Sequence, residues 1–161
     1  MIFVHDTRDK PGKHKNVEAF LTEHGHNIVR SKLYVGDITL LHDPTVCIDL
    51  KQNVMELIMA VYQQHKRFRA ELIRAQEVGI SVVVLVEHGG GIKSLDDVPN
   101  WVNPRLKVSP LAVSGERLYK ILKAMEYTYK VRFEFCTKAQ TGKRILQILT
   151  EGKDGNTETE T

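Results

Sequence analysis

Residues 35–52, VGDITLLHDPTVCIDLKQ, read as two hydrophobic strands about a polar turn, with charges placed where a sheet ordinarily buries apolar side chains. ITLL and VCIDL flank His42-Asp43-Pro44-Thr45, whose Asp-Pro pair favours a turn, so residues 37–51 are expected to form a hairpin. In VCIDLK the two-residue period of a strand puts Val46, Ile48 and Leu50 on one face and Cys47, Asp49 and Lys51 on the other. Antiparallel pairing then returns Asp37 toward Asp49. Two carboxylates held together in a partly buried place repel each other unless a cation neutralises them. A hard divalent ion such as Mg²⁺ prefers such oxygen ligands, and Lys51 beside it would orient an attacking water or offset charge on a phosphoryl oxygen. An isolated Asp-x-Lys is common as a surface salt bridge, so the flanking sequence must decide.

Outward from the hairpin, strands and helices interleave. IFVHD (2–6) has strand character, VEAFLTEHG (17–25) puts Val17, Phe20 and Leu21 on one helical face, and IVRSKLYV (28–35) returns as a strand. Asn53 with Glu56 three residues later forms a capping signal for a helix from Val54 to about Glu77. Gly79 ends that helix before ISVVVLVEH (80–88), whose unbroken run Val82–Val86 predicts a strand covered on both faces. Residues 89–114, with three consecutive glycines and three prolines, read as a long connection. A helix (116–129), a strand (131–135) and a helix (139–150) complete the pattern. The expected fold is α/β, a mixed sheet layered between helices.

Composition bounds the function without naming it. The 161 residues suit a single domain over residues 1–150, with 42% hydrophobic and 27% charged residues as in an ordinary globular protein. No apolar stretch approaches the roughly 20 residues that span a bilayer, and MIFVHDTRDK lacks a leader pattern; no membrane association and a cytoplasmic location are expected. Cys47 and Cys136 form no ligand pair and are expected to be buried reduced thiols. The seven histidines include no HExxH or other close ligand set and are assigned to surface or structural roles. The net charge of +3 includes a tail, 151–161, holding four acids and one lysine, so the body is more basic than the whole; the polar tail itself is expected to be disordered. Lys66, Arg67, Arg69 and Arg74 cluster on the long helix and would attract nucleic-acid phosphates, although an Arg67/Glu71 pair on a solvated face accounts for such residues as well.

Four stretches in order resemble the PD-(D/E)XK nuclease superfamily, and look most like its XPF-type structure-specific members. Gly36-Asp37 match the family's GD, and Asp49-Leu50-Lys51 occupy the positions of its ERK. His5-Asp6-Thr7-Arg8 is similar to its opening VDxRE, and RFRAELIRAQEVGISVVVLVE (67–87) to its helix and strand ending in Val-Glu. The resemblance covers about residues 2–88. It implies a restriction-endonuclease-like three-layer fold, with Asp6, Asp37 and Asp49 and the Leu50 carbonyl about a Mg²⁺ or Mn²⁺ ion. Asp37, Asp49 and Lys51 would be catalytic, Arg8 and Glu71 supporting. Leu50 replaces the family's arginine and Asp49 its glutamate; Met55 stands at its final aspartate, with Glu56 beside it as the substitute.

What the resemblance implies is a divalent-metal-dependent endonuclease hydrolysing DNA phosphodiesters, with branched or flapped DNA as candidate substrates and roles in repair or recombination. Its small standalone size is similar to nucleases carried by phages and bacteria. Residues 111–150 contain no paired helix-hairpin-helix, so the DNA structure preferred stays open, as does a homodimer through a sheet edge or the C-terminal helices. Two alternatives also stay open: a nuclease-like DNA-binding or assembly protein with weakened catalysis, suggested by Leu50 and Met55, and a small-molecule-binding α/β domain using the strand end near Glu87.

Overall fold

The computed structural model describes residues 1–158. Six strands form one sheet in the order β2-β1-β3-β4-β5-β6: β1 (Ile2–His5), β2 (Asn27–Arg30), β3 (Ile38–Leu40), β4 (Asp43–Lys51), β5 (Ser81–Glu87) and β6 (Arg132–Cys136). β3 runs antiparallel to both β1 and β4, while β1 pairs β2, β4 pairs β5 and β5 pairs β6 in parallel. The sheet is therefore mixed, with the hairpin joining two parallel halves.

Strand parity divides the core in two. Val82, Val84 and Val86 of β5 pack on one face with Leu57 of α2 (Val54–Ile58), Phe68 and Leu72 of α3 (His65–Glu77), and Leu118 and Leu122 of α4 (Gly115–Tyr129). Val83 and Leu85 join Ile48 and Leu50 on the other face, against Val17 and Leu21 of α1 (Lys15–Glu23) and Ile145, Ile148 and Leu149 of α5 (Thr141–Glu158). Burying a side chain of this size stabilises by about 1.5–3 kcal/mol, so β5, apolar on both faces, lies inside the sheet between β4 and β6. α1 and α5 approach closely because Gly142 has no side chain: a Cβ there would lie 2.6 Å from Cβ of Phe20. Among the described residues no helix is long and apolar enough to cross a membrane.

Several boundaries differ from the sequence expectation. The hairpin turns at Leu41 and His42, and Asp43, Pro44 and Thr45 belong to β4. Pro44 is tolerated because β5 begins to pair only at Val46, and the β3 register shifts between Thr39 and Leu40, so its missing N–H breaks no central ladder. β2 stops at Arg30. The long helix is interrupted by a π-helical turn, Met59–Gln63, after which Gln64 leaves helical geometry with φ −109° and ψ 30°. Residues 89–114 are not an open loop: they contain two 3₁₀ segments, Leu95–Asn100 and Pro104–Lys107, and Trp101 between them packs on the core. The C-terminal helix extends to Glu158, past the point where disorder was expected, and 159–161 lie outside the described residues. Asn53 does cap α2, its side chain accepting the Glu56 amide at 2.8 Å.

Cys47 and Cys136 are both free and buried. Burial pushes both thiols up, and the Asp37 and Asp49 carboxylates add to the effect at Cys47, whose Sγ donates to the Val35 carbonyl at 2.8 Å. Because the thiolate is the reactive form, the folded protein is expected to give no reaction with an aromatic disulfide reagent at neutral pH, and both thiols to titrate once denaturant is added.

Candidate active site

The hairpin puts its charges where strand parity requires. The Asp37 amide donates to the Ile48 carbonyl at 2.8 Å, and Oδ2 of Asp37 accepts the Leu50 amide at 2.7 Å. Asp37 thus closes the open end of the β3–β4 pair and straddles Asp49, whose own side chain projects on the α3 face. Asp49 is 5% exposed, and its Oδ1 lies 2.8 Å from Nζ of Lys51. Leu50 points the opposite way, into the core beneath α1 and α5, so leucine in place of arginine there removes no group from this face.

Burial, and next the nearby Asp49 carboxylate, push Asp37 well above the usual carboxylate range; the Leu50 amide and Lys51 act in the other direction. Burial opposes the Lys51 ammonium, but Asp49 and then Asp37 outweigh it and hold its pKa above the ordinary lysine value. Lys51 also lies 5.9 Å from the centre of the Phe68 ring. The result is two carboxylates crowded against one retained ammonium, an all-oxygen donor set whose repulsion a hard cation would relieve.

The supporting residues come from α3 and the β1–α1 turn. Oε1 of Glu71 accepts the Gly36 amide at 2.9 Å, which fixes the residue before Asp37. Gly36 has φ +75°, and a Cβ there would lie 2.3 Å from Sγ of Cys47, so this approach needs glycine. Asp6 is 2% exposed and its amide donates to the Asp37 carbonyl at 2.8 Å. Both Asp6 oxygens are engaged: Oδ2 by Nε of Arg8 at 2.6 Å and Oδ1 by the Leu33 amide at 2.9 Å. Arg8, held also by the Leu33 carbonyl, feels Glu71 and Asp37 beyond its main partner Asp6. Asp6 therefore adjoins the hairpin through its backbone, while its carboxylate is committed to Arg8. Glu56 faces Lys13, at 3.9 Å, and Met55 packs against the core.

Asp49, Lys51, Gln64, Arg67, Phe68 and Glu71 line a cleft of about 230 Å³. A larger one, about 530 Å³, lies between α3 and α4 and is lined mainly by apolar groups and Arg69 and Arg117, with no carboxylate; Asp49, Lys51 and Glu71 line the smaller one. Of the four cations on the long helix, Arg67 reaches the Asp49 cleft, Arg69 turns to the α4 side, Arg74 lies over the Tyr34 ring at 5.9 Å, and Lys66 is exposed. Gln64 was not foreseen as a cleft residue. The apolar spacing stays helical throughout 54–77, so nothing in it signals the π-turn that presents this amide.

Two solved structures share this fold over 96% of the chain, each with a TM-score of 0.66. One is XPF from Aeropyrum pernix, 17% identical, and the other the same protein in complex with DNA, 16% identical. The chain spans 65% and 66% of their lengths. No family model matches the sequence, and no curated protein does. The central mixed sheet flanked by helices is accordingly an XPF-like fold.

Removing the Glu71 acceptor leaves the buried Gly36 amide unpaired, which costs about 1–3 kcal/mol, or a fall in Tm of roughly 3–10 °C for a chain of this size. Glu71→Ala is expected to show that loss by calorimetry and Glu71→Gln, which keeps an acceptor, to recover most of it. Gly36→Ala, strained at positive φ and overpacked against Cys47, is expected to cost about 2 kcal/mol or more.

Proposed function

We propose that this protein is a divalent-metal-dependent nuclease that hydrolyses DNA phosphodiester bonds. The observation that carries the reading is the Asp37–Asp49–Lys51 constellation: two carboxylates and an ammonium gathered at one end of a hairpin, beside a cleft, on an XPF-like nuclease fold. A neighbour of that fold has been solved with DNA, which supports DNA as the substrate.

Asp37 and Asp49, with the Leu50 carbonyl, would hold the ion, Mg²⁺ or Mn²⁺ by the chemistry of an all-oxygen set. Asp6 would join them only by exchanging its Arg8 partner. When bound, the ion lowers the pKa of a coordinated water and balances charge on a phosphoryl oxygen. Lys51, kept protonated by Asp49, supplies a positive charge beside the scissile phosphate and orients the attacking water. Gln64 offers amide hydrogen bonds in the same cleft, and Arg67 binds a flanking phosphate. Arg8 holds Asp6, and Glu71 holds Gly36, so that the hairpin end does not shift when the phosphate enters. The superfamily resemblance of residues 2–88 supports the same assignment. Branched or flapped substrates follow from that resemblance alone.

Met55 favours one competing reading, a nuclease-like protein that binds DNA and no longer cuts, since the neighbouring Glu56 turns to Lys13. Labelled branched and linear DNAs incubated with Mg²⁺ or Mn²⁺ separate the two. The nuclease reading expects cleavage that falls by about 100-fold or more in Asp37→Asn, Asp49→Asn and Lys51→Ala, all of which retain binding. Binding without cleavage across the substrate set would establish the competing reading instead. Arg67→Ala is expected to weaken binding to all sequences and to reduce the slope of log affinity against log salt by about one.

A further inference from the structure

On the opposite face of the sheet from the cleft, the β1–α1 connection gathers a second group of side chains. His5 closes β1, Asp9 lies in the turn and His14 immediately precedes α1; they are 2%, 9% and 1% exposed. Oδ2 of Asp9 is 3.0 Å from Nε2 of His5 and 3.4 Å from Nε2 of His14. Each of the three offers one ligand atom, and these atoms lie within 4.8 Å of one another, the only such triple of His, Cys, Asp or Glu among the described residues.

We propose that His5, Asp9 and His14 form a binding site for a transition-metal ion of the Zn²⁺ class. Three observations carry it. Two imidazoles and a carboxylate are a ligand set suited to such ions, with a fourth position left for solvent. Ligands bound at about 2.0–2.1 Å in a tetrahedron stand about 3.3 Å apart, and the two separations here, 3.0 and 3.4 Å, already bracket that value. His14 is buried with neither ring nitrogen hydrogen-bonded, and an ion at Nε2 would satisfy the one that faces Asp9.

The surroundings fit as well. Nδ1 of His5 lies 3.0 Å from Oε1 of Glu18, the carboxylate–histidine arrangement that fixes the tautomer with Nε2 free to coordinate. The alternative occupant is a proton: a doubly protonated His5 bridging Asp9 and Glu18, with Lys13 at 3.6 Å from Oδ1 of Asp9 and Arg30 at 3.6 Å from Oε1 of Glu18 completing a charge network. That network satisfies His5 and leaves both ring nitrogens of His14 without a hydrogen bond. The role of a bound ion would be to pin the turn that carries Asp6 and Arg8.

The test uses tag-free full-length protein stripped with chelator and desalted. Zn²⁺ binding is measured by calorimetry, Co²⁺ by its visible ligand-field bands, and Tm with and without Zn²⁺. The expected result is one ion retained after desalting, a raised Tm, and loss of both in His14→Gln and in the isosteric Asp9→Asn. Glu18→Gln weakens binding by about 10- to 100-fold. Asp37→Asn and Asp49→Asn retain the ion, which separates this site from the proposed nuclease cleft. Failure of the wild-type protein to retain Zn²⁺ or to give Co²⁺ bands overturns the proposal, as does undiminished uptake in a folded His14→Gln or Asp9→Asn. Should both variants fail to fold, the histidine ring resonances of the wild type decide: shifts of His5 and His14 on adding Zn²⁺ support the site, and unmoved resonances overturn it.

Discussion

The carboxylate of Asp37, bonded to the Leu50 amide, ties the chemistry of the cleft to the register of the sheet. A strand slipped by one residue presents every side chain to the other face. Here a slip would drive Asp49 and Lys51 into the apolar layer under α1 and α5, and turn Ile48 and Leu50 toward α3. The Asp37 bond and the Asp37 amide to Ile48 together oppose that slip at the open end of the hairpin, beside the three-residue β3. Glu71 extends the same restraint to α3 by holding the Gly36 amide, so the hairpin and the helix that wall the cleft are joined through one turn.

That arrangement works against stability locally. Asp37 and Asp49 crowd each other in a poorly solvated place, and one lysine ammonium must serve both. Burying unmatched charge is costly, and the central strands offset it: Val84, Leu85 and Val86 beside Asp49 and Lys51 are fully buried, and cores pack on both of their faces. A charged site is thus carried by the most apolar part of the molecule. The rigidity that this burial confers is also what the proposed nuclease site would need, because its groups must already stand where charge will develop.

The turn after β1 serves both faces. Asp6 and Arg8 adjoin the hairpin, through the Asp37 carbonyl and through the charge of Glu71, while His5, Asp9 and His14 meet on the α1 side. Alternation along β1 explains the division, since His5 follows Phe3 onto one face and Asp6 follows Val4 onto the other. Whatever occupies the histidine group therefore sits one peptide away from a residue of the proposed nuclease site.

The amino-acid sequence by itself determined the sheet-forming segments, the two-sided burial of Val82–Val86, the cap at Asn53, and the pairing of Asp49 with Lys51, because each follows from a short-range period or a local hydrogen bond. The ordered motifs likewise single out Asp37 and Glu71. Only the tertiary structure decided that the hairpin turns at Leu41–His42, that Gln64 enters the cleft through a π-turn, that Asp6 spends its carboxylate on Arg8, and that Arg67 and Arg69 serve different surfaces. It also decided that three residues spaced H-x₃-D-x₄-H converge. They lie on a strand end, a turn and a helix start, so no single period relates them, and their meeting depends on how α1 packs back across β1.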